Sequence, residues 1–253
     1  MRAERTCTVT GLRLVSEPSD VYGFHVGKTE YPPLSAAPRD ASEKWRQAWG
    51  RYDVPGQTFY VAETRECAYA EVLAFFKRAN GTGDSLAKDA EFAGLSLAEY
   101  VEEIAREWSE RDFMGLGAIP AGWRYDRGIT PISLPDPGWL IDIEHPESIS
   151  FIERELEGTL AAHRVTSLTT ATLRSEDRPV TTAIAEFLHG VTLDDDTTPL
   201  GIHFGSKHGA AWCKALWLDH ADARDLISLS PEPILVTDDD LKRVADRFRI
   251  RVF

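Results

Sequence analysis

The amino-acid sequence predicts an α+β fold in which short strands alternate with helices. Strand-like runs rich in β-branched and aromatic residues recur along the chain, at 20–27, 59–63, 129–134, 138–143, 201–204, 211–218 and 248–253. Stretches with helical periodicity and capping residues lie between these runs. No repeat of fixed period is present.

Four helices are indicated by a capping residue or by a proline in the first turn. Their expected starts are Ser96 with Glu99 as a capping box, Pro146, Pro179 with Gly190 closing that helix, and Thr237 with Asp240. The helix from Pro146 is expected to run to about His163. The segment from about 77 to 117 is charged, helical and punctuated by glycine, so we expect a helical insertion on a compact core. At 253 residues the chain is expected to form a single domain, 1–253.

Charge and hydropathy argue against several classes of function. A net charge of −13 disfavours nucleic-acid binding, because an acidic surface repels phosphates. An anionic small molecule remains a candidate ligand if the basic residues converge in one cleft. No apolar run approaches the roughly 18 to 20 residues that cross a bilayer, and the first residues lack the apolar core of an export signal. Cys7, Cys67 and Cys213 are widely spaced and read as reduced thiols, so we expect a cytoplasmic protein.

Glu71 is the first candidate functional residue, because it interrupts the apolar face of a predicted helix. From Cys67 onward apolar residues recur at helical spacing, and Glu71 lies three residues after Ala68 and four before Phe75. A carboxylate taken out of water without partners costs several kcal/mol. One interpretation is a glutamate at a rim, or paired with a buried arginine or amide. The other is a carboxylate that lines a cleft and binds a hydroxyl or stabilises a developing cation.

Two sequence motifs contain candidate polar residues. The first is a strand followed by a helix, here FYVA at 59–62 and AEVL at 70–73, and it contains Glu71. The second is GIHFGSKHG at 201–209, which contains Ser206 and precedes an aromatic strand. Together they resemble the signatures of the RES-domain family. The intervening stretches GAIPAGWRYDRGITPISL, GWLIDIEHPESI and RPVTTAIAEFLHG resemble the longer bacterial members of that family in order and spacing. The similarity therefore covers roughly residues 20–220.

The resemblance implies a fold like that of the ADP-ribosyltransferases, with a core of two small mixed sheets and flanking helices. It also implies that NAD+ binds in a cleft between the sheets. Characterised members resemble toxins of toxin–antitoxin pairs that split NAD+ at the nicotinamide–ribose bond by hydrolysis or phosphorolysis. NAD+ would then be a substrate, no further cofactor would be needed, and an antitoxin protein would be a partner.

The arginine after which the family is partly named is missing at its usual place. The family carries it on the first strand, and the matching stretch FHVG has His25 there. Other enzymes of the ADP-ribosyltransferase fold use a first-strand histidine to hydrogen-bond the nicotinamide ribose, so His25 is a candidate catalytic residue. A second basic element before the first motif matches Lys44, and Arg51 can substitute for it. Lys44 and Arg51 are the candidate clamps for the pyrophosphate, with a surface charge as the alternative for each.

Cleavage of the nicotinamide–ribose bond passes through an oxocarbenium-like transition state and releases a neutral amide. A carboxylate that lies beside the cationic ribose and holds its 2′-hydroxyl stabilises this state, which is the role expected of Glu71. Ser206 is expected to hydrogen-bond the ribose or the nicotinamide amide, with a turn serine as the alternative. Tyr60 is expected to stack on nicotinamide, with a core aromatic as the alternative.

A zinc site at His203, His208 and Cys213 is conceivable, because all three side chains can ligate zinc. Their spacing of five residues each, over a strand, a loop and a second strand, matches no compact zinc motif. No glycine-rich phosphate loop is present either. The sequence therefore predicts no metal site.

The resulting prediction is an enzyme that consumes NAD+, as a glycohydrolase or a phosphorylase, and acts as the toxin of a toxin–antitoxin pair. Two alternatives remain open. One is transfer of ADP-ribose to a macromolecule, and the other is a degenerate RES domain that binds a nucleotide or a partner without catalysis.

Overall fold

The computed structural model describes residues 2–18, 22–77, 82–111, 117–133, 138–220 and 227–253. The strands in these ranges are β1 (Ala3–Thr6), β2 (Arg13–Ser16), β3 (Tyr22–Lys28), β4 (Pro38–Arg39), β5 (Gly56–Ala62), β6 (Ala118–Ile119), β7 (Arg127–Ser133), β8 (Leu140–Asp142), β9 (Gly201–Gly205), β10 (Trp212–Trp217), β11 (Ile227–Ser228), β12 (Glu232–Pro233) and β13 (Arg251–Val252). The helices are α1 (Arg65–Leu73), α2 (Thr82–Phe92), α3 (Leu97–Arg111), α4 (Ala121–Tyr125), α5 (Pro146–Glu155), α6 (Glu157–Ala162), α7 (Thr170–Leu173), α8 (Arg178–His189) and α9 (Asp239–Phe248). The α+β class predicted from the sequence is confirmed.

The strands form one large mixed sheet that is joined weakly in the middle. Its order is β1-β2-β8-β9-β10-β5-β3-β7-β11, with β4 added on β5 and β12 on β7. Strand β3 pairs with β7 along its whole length, from Tyr22 to Lys28, but it pairs with β5 only at Phe24 and Ala62. The two sheets that the resemblance implies are therefore two halves of one hydrogen-bonded sheet, which meet at that pair. The small parallel sheet of β6 and β13 is separate.

Strand alternation divides the core between the two faces of this sheet. Phe59 and Val61 of β5 point into a small cluster with Val15, Ile132 and Leu216. Their neighbours on β5, Tyr60 and Ala62, face the larger cluster, to which α1, α8 and α9 contribute. Helix α1 begins at a cap in which the Thr64 hydroxyl accepts from the Cys67 amide, 3.1 Å away. Glu71 is thereby placed on the same side of the sheet as Tyr60.

Several helix signals act as the sequence predicts, and others need correction. Ser96 and Glu99 form the expected reciprocal capping box at the start of α3. The last helix is capped by Asp238, because its carboxylate accepts from two amides of the first turn, whereas Thr237 was expected in that role. This helix continues to Phe248, so the terminal strand is shorter than the predicted run. The helix from Pro146 is interrupted at Leu156.

The expected insertion is helical where it is described. Helices α2 and α3 pack on each other between 82 and 111, while 78–81 and 112–116 lie outside the described residues. The ends of two predicted strand runs, at 20–21 and at 134, also lie outside them. In the described part of the chain, no helix has both the length and the apolar composition needed to span a bilayer.

Candidate functional site

Glu71 is hydrogen-bonded to Ser206, although 135 residues separate them in the chain. The Ser206 hydroxyl donates to Glu71 Oε1 over 2.6 Å and accepts from the His208 amide over 3.0 Å. Ser206 is 1% exposed, so this hydroxyl is committed to the two partners. Within the described residues Glu71 forms no ion pair, and its second oxygen accepts no hydrogen bond. The interpretation of Glu71 as one half of a structural charge pair therefore does not fit the described residues.

A cavity of about 150 Å³ lies where the two halves of the sheet diverge, between β3 and β5. Glu71 lines it, and the other lining residues include Phe24, Tyr60, Val72, Phe204 and Cys213. Glu71 is the one carboxylate among the residues that line it. An apolar lining lowers the local dielectric constant and strengthens the field of that carboxylate. The cavity thus combines an aromatic wall with a single negative charge.

Tyr60 presents its ring, and not its hydroxyl, to this cavity. The hydroxyl donates to Asp53 Oδ1 over 2.9 Å and accepts from the Tyr52 amide over 2.9 Å. Burial, together with the neighbouring carboxylate of Asp53, raises the pKa of Tyr60 well above its usual value. A Cβ at Gly50 would lie 2.5 Å from the hydroxyl, so glycine is required there. The expected stacking role of Tyr60 needs only the ring, which lines the cavity and lies edge-to-face with Phe204, 6.4 Å between centroids.

His25 lies at the same cavity, but its ring is held by the protein. Its Nδ1 is 2.9 Å from the Tyr60 carbonyl, and its ring centroid is 4.4 Å from that of Phe59. Burial lowers the pKa of His25, an effect that the bond to the carbonyl opposes. Because a carbonyl only accepts, Nδ1 carries the proton in the neutral imidazole and Nε2 keeps a lone pair. The ring packs against Phe59, which faces the small cluster, so the His25 ring lies on the side of the sheet away from Glu71.

Arg51 is the buried cation beside this cavity. It is 7% exposed, and its Cζ lies 5.7 Å from the ring centroid of Phe204. Its buried Nε has no hydrogen-bond partner among the described residues. The charge of Arg51 also lowers the pKa of Lys207 and of Arg178, after burial as the main cause in each case. Three cations therefore lie close together in a chain whose net charge is −13, and two of them, Lys207 and Arg178, are paired with Glu176.

The candidate Lys44 and its neighbour Arg46 lie elsewhere. Lys44 is exposed and does not line the cavity. Arg46 is paired with Glu186 of α8 over 2.6 Å and lies against the ring of Trp49. Arg51 does not line the cavity either, but it lies over the ring of Phe204, which does.

The loop that carries Ser206 is fixed by a pair that the sequence did not indicate. Arg174 binds both carboxylate oxygens of Glu144, at 2.7 and 2.5 Å, and Glu144 also accepts from the Gly205 amide at 3.0 Å. A Cβ at Gly205 would lie 2.0 Å from Arg174 Nη2, so only glycine leaves room for the pair. The bidentate geometry gives this anchor its directionality. Sequence spacing carries no signal for it, because its members lie on separate elements.

The zinc set considered from the sequence does not form. His203 lies opposite Lys214 in the pairing of β9 with β10, and Cys213 lies opposite Phe204. Because His203 and Phe204 are neighbours on β9, the side chains of His203 and Cys213 point to opposite faces of the sheet. His203 is stacked on Trp212 with ring centroids 4.4 Å apart, and burial lowers its pKa to about 2. Among the described residues His203, His208 and Cys213 do not come within ligand distance of one another.

Two thiols lie next to Glu71 instead. Cys67 Sγ and Cys213 Sγ are 3.6 Å apart, and Cys213 Sγ lies 4.0 Å from Glu71 Oε1. Both cysteines are free and buried. In the sequence, the spacing of four residues between Cys67 and Glu71 was the available signal for this cluster.

For the NAD+ cleavage predicted from the sequence, replacing Ser206 by alanine is expected to lower kcat about tenfold with little change in KM. The hydroxyl is hydrogen-bonded to Glu71 and to the His208 amide, so its loss should affect the orientation of Glu71 more than substrate binding. Steady-state kinetics of Ser206→Ala and of Ser175→Ala, a partly exposed serine in the loop after α7, give the comparison. A large rise in KM with unchanged kcat in Ser206→Ala would assign the hydroxyl to substrate binding.

Comparison with known proteins adds one distant similarity. No protein-family model matches the sequence, and no curated protein matches it significantly. A crystal structure of the MbcT–MbcA toxin–antitoxin complex from M. tuberculosis contains a chain that aligns with 92% of this chain and 89% of its own length. The sequence identity is 13% and the TM-score is 0.44. A similarity of this size is too weak to carry a functional argument, so the proposal below depends on the sequence motifs and on the geometry of the site.

Proposed function

We propose that the protein cleaves NAD+ at the nicotinamide–ribose bond, with water or phosphate as acceptor. The observation that carries the proposal is the 2.6 Å hydrogen bond between Ser206 and Glu71 at the wall of an aromatic cavity. These two residues come from the two motifs that resemble the RES-domain family. Their contact supports the proposal because it brings the two motifs together at one cavity.

The cavity is suited to one aromatic ring and not to a whole dinucleotide. Its volume of about 150 Å³ is close to that of an engineered apolar cavity that binds benzene. Nicotinamide is a ring of that size with one amide group. The rings of Tyr60, Phe24 and Phe204 offer it stacking and edge contacts. The ribose would then lie at the mouth of the cavity, beside the glutamate.

Glu71 supplies charge where the reaction develops it. Ser206 occupies Oε1, which leaves Oε2 to accept a hydrogen bond from the 2′-hydroxyl of the ribose. The anomeric carbon becomes positive as the bond to nicotinamide breaks, and a fixed carboxylate nearby stabilises it. No general acid is needed, because nicotinamide departs as a neutral molecule.

The cations of the site suit the pyrophosphate. A dianionic bridge needs converging positive charges in a chain this acidic, and Arg51 has a buried nitrogen without a partner in the described part of the chain. Lys207 follows Ser206 directly, on the same loop. We assign Arg51 as the main phosphate-binding residue, in place of Lys44.

The proposal includes the biological role that the motifs imply. An enzyme that depletes NAD+ is harmful to the cell that makes it, so we propose that the protein acts as a toxin and is neutralised by an antitoxin protein. Expression with and without a neighbouring small gene product, read out as growth and NAD+ content, tests this role.

Incubation of the purified protein with NAD+ tests the activity. We expect NAD+ to disappear and nicotinamide to form, together with ADP-ribose in plain buffer or its phosphorylated form when phosphate is present. Modification of added protein or nucleic acid, without free ADP-ribose, would favour transfer to a macromolecule. Binding of NAD+ without turnover over long incubation would favour a domain that only binds.

A further inference from the structure

Three potential metal ligands meet beside the cavity on two packed elements. Cys67 and Glu71 lie four residues apart on α1, so their side chains leave the same face of the helix. Cys213 comes from β10, and its sulfur lies 3.6 Å from Cys67 Sγ and 4.0 Å from Glu71 Oε1. One ligand atom from each of the three residues lies within 4.8 Å of the others.

The spacing of these atoms matches tetrahedral zinc. With Zn–S near 2.3 Å and Zn–O near 2.1 Å, a tetrahedral ion places two sulfurs about 3.8 Å apart and sulfur and oxygen about 3.6 Å apart. The observed distances are 3.6 Å between Cys67 Sγ and Cys213 Sγ, and 4.0 Å between Cys213 Sγ and Glu71 Oε1. Small side-chain rotations would bring all three atoms onto one ion.

We propose that Cys67, Cys213 and Glu71 form an inhibitory zinc site. The two sulfurs and one carboxylate oxygen supply three ligands, and the fourth position faces the cavity, where a water molecule completes the tetrahedron. Soft thiolates favour zinc over magnesium or calcium, which take oxygen ligands. Ser206 holds the ligating carboxylate in place, as outer hydrogen bonds do at known metal sites.

The charges around the site fit a thiolate complex. Zinc binding displaces one proton from each thiol to the solvent, and three anionic ligands around a dication leave a net charge of about −1. Arg51, a buried cation whose Cζ lies 5.7 Å from the Phe204 ring at the cavity, is available to compensate the negative complex.

Zinc at this position would oppose the proposed reaction in two ways. It takes Glu71 Oε1 as a ligand and so neutralises the carboxylate that stabilises the transition state. It also places a dication next to a carbon that becomes positive. The inhibition depends on the proposed function, whereas the binding of the metal does not.

Titration of the reduced, metal-free protein with Co²⁺ tests the site directly. Cobalt replaces zinc in tetrahedral sites, and its bond to a thiolate gives an intense near-ultraviolet charge-transfer band. We expect one Co²⁺ per chain with this band in the wild type and in Cys7→Ala, a matched variant of a buried cysteine outside the site. Cys67→Ala and Cys213→Ala are expected to lose the band, and Glu71→Gln to keep it with an affinity lowered about tenfold or more. Absence of the band in the wild type would overturn the proposal even if a variant failed to fold.

The charge-transfer band also distinguishes the proposed site from a second group of potential metal ligands. His189, Asp219 and His220 form another group with ligand atoms within 4.8 Å of one another, but it contains no sulfur. Cobalt bound there would not produce a thiolate band. If the wild type binds Co²⁺ without that band, the cysteine site is wrong.

A turnover assay separates the site from its effect. One equivalent of Zn²⁺ is expected to lower NAD+ turnover at least tenfold in the wild type and in Cys7→Ala, and a chelator is expected to restore it. Turnover that is insensitive to zinc in a protein showing the thiolate band would overturn the inhibition. If the protein has no NAD+ turnover at all, the proposed function fails, and the cobalt band still decides whether the metal site exists.

Discussion

Glu71→Gln is expected to leave the protein folded and to lower NAD+ turnover about 100-fold or more. Glutamine keeps the size of the side chain and can still accept from Ser206, but it carries no charge. Losing an electrostatic stabiliser of a developing charge typically costs on the order of 10² to 10³ in rate. Because Glu71 has no ion pair in the described residues, removing its charge breaks no buried pair, and melting temperature should change little.

The measurement is paired, with melting temperature and turnover determined for the same preparations. Glu66→Gln is the matched control, since Glu66 lies on the same helix but contacts Arg243 and Arg247, away from the cavity. The control should retain full turnover and lose little stability, as surface ion pairs contribute at most about 1 kcal/mol. A stable Glu71→Gln protein with undiminished turnover would falsify the catalytic role.

Arg51→Met is expected to raise the stability of the protein and to weaken NAD+ binding. Arg51 has no ion pair in the described ranges, and replacing such buried charges by apolar residues of similar size can stabilise by about 1 kcal/mol or more. The contact with the Phe204 ring, 5.7 Å from Cζ to the ring centroid, offsets only part of that cost. A hydrogen bond to a charged group contributes about 1.5–3 kcal/mol, so KM should rise about 10- to 100-fold.

The opposite signs of these two effects make the test specific. Replacing a residue that serves stability makes the protein less stable. Replacing a residue that serves substrate binding at a cost in stability makes the protein more stable and weakens its affinity for the substrate. Arg46→Met is the control, because Arg46 is already paired with Glu186 and does not line the cavity. The KM of the Arg46→Met protein for NAD+ should stay within about twofold of the wild-type value. A less stable Arg51→Met protein with unchanged KM would show that the charge of Arg51 serves the fold.

Local signals in the sequence account for most of the secondary structure. The runs at 59–63 and 201–204 became β5 and β9, because alternation of side chains is a property of neighbouring residues. The capping box at Ser96 formed for the same reason. The very short strands β4, β6, β11 and β12 were not predicted. Two residues carry no periodicity, and such strands exist only because a longer neighbour supplies their hydrogen bonds.

The helix carrying Glu71 could be recognised from its sequence, and so could the oddity of a carboxylate on its apolar face. The resemblance of the two motifs led to the expectation that Glu71 and Ser206 would meet. The hydrogen-bond partners of the Ser206 hydroxyl were not predicted. Ser206 was expected to face the ligand, and the structure commits its hydroxyl to Glu71 and to the His208 amide.

The remaining features of the site arise from contacts between distant parts of the chain. Cys67 and Cys213 are 146 residues apart, and nothing in either neighbourhood shows that β10 lies beside α1. Arg51 could be read as a surface charge or as a clamp, because burial of a guanidinium is a property of the packed fold and not of its flanking residues. Periodicity and helix caps depend on residues that are close together in the chain, so the sequence specifies them. Which thiols, charges and rings share one cavity depends on strand order, and only the folded chain defines that.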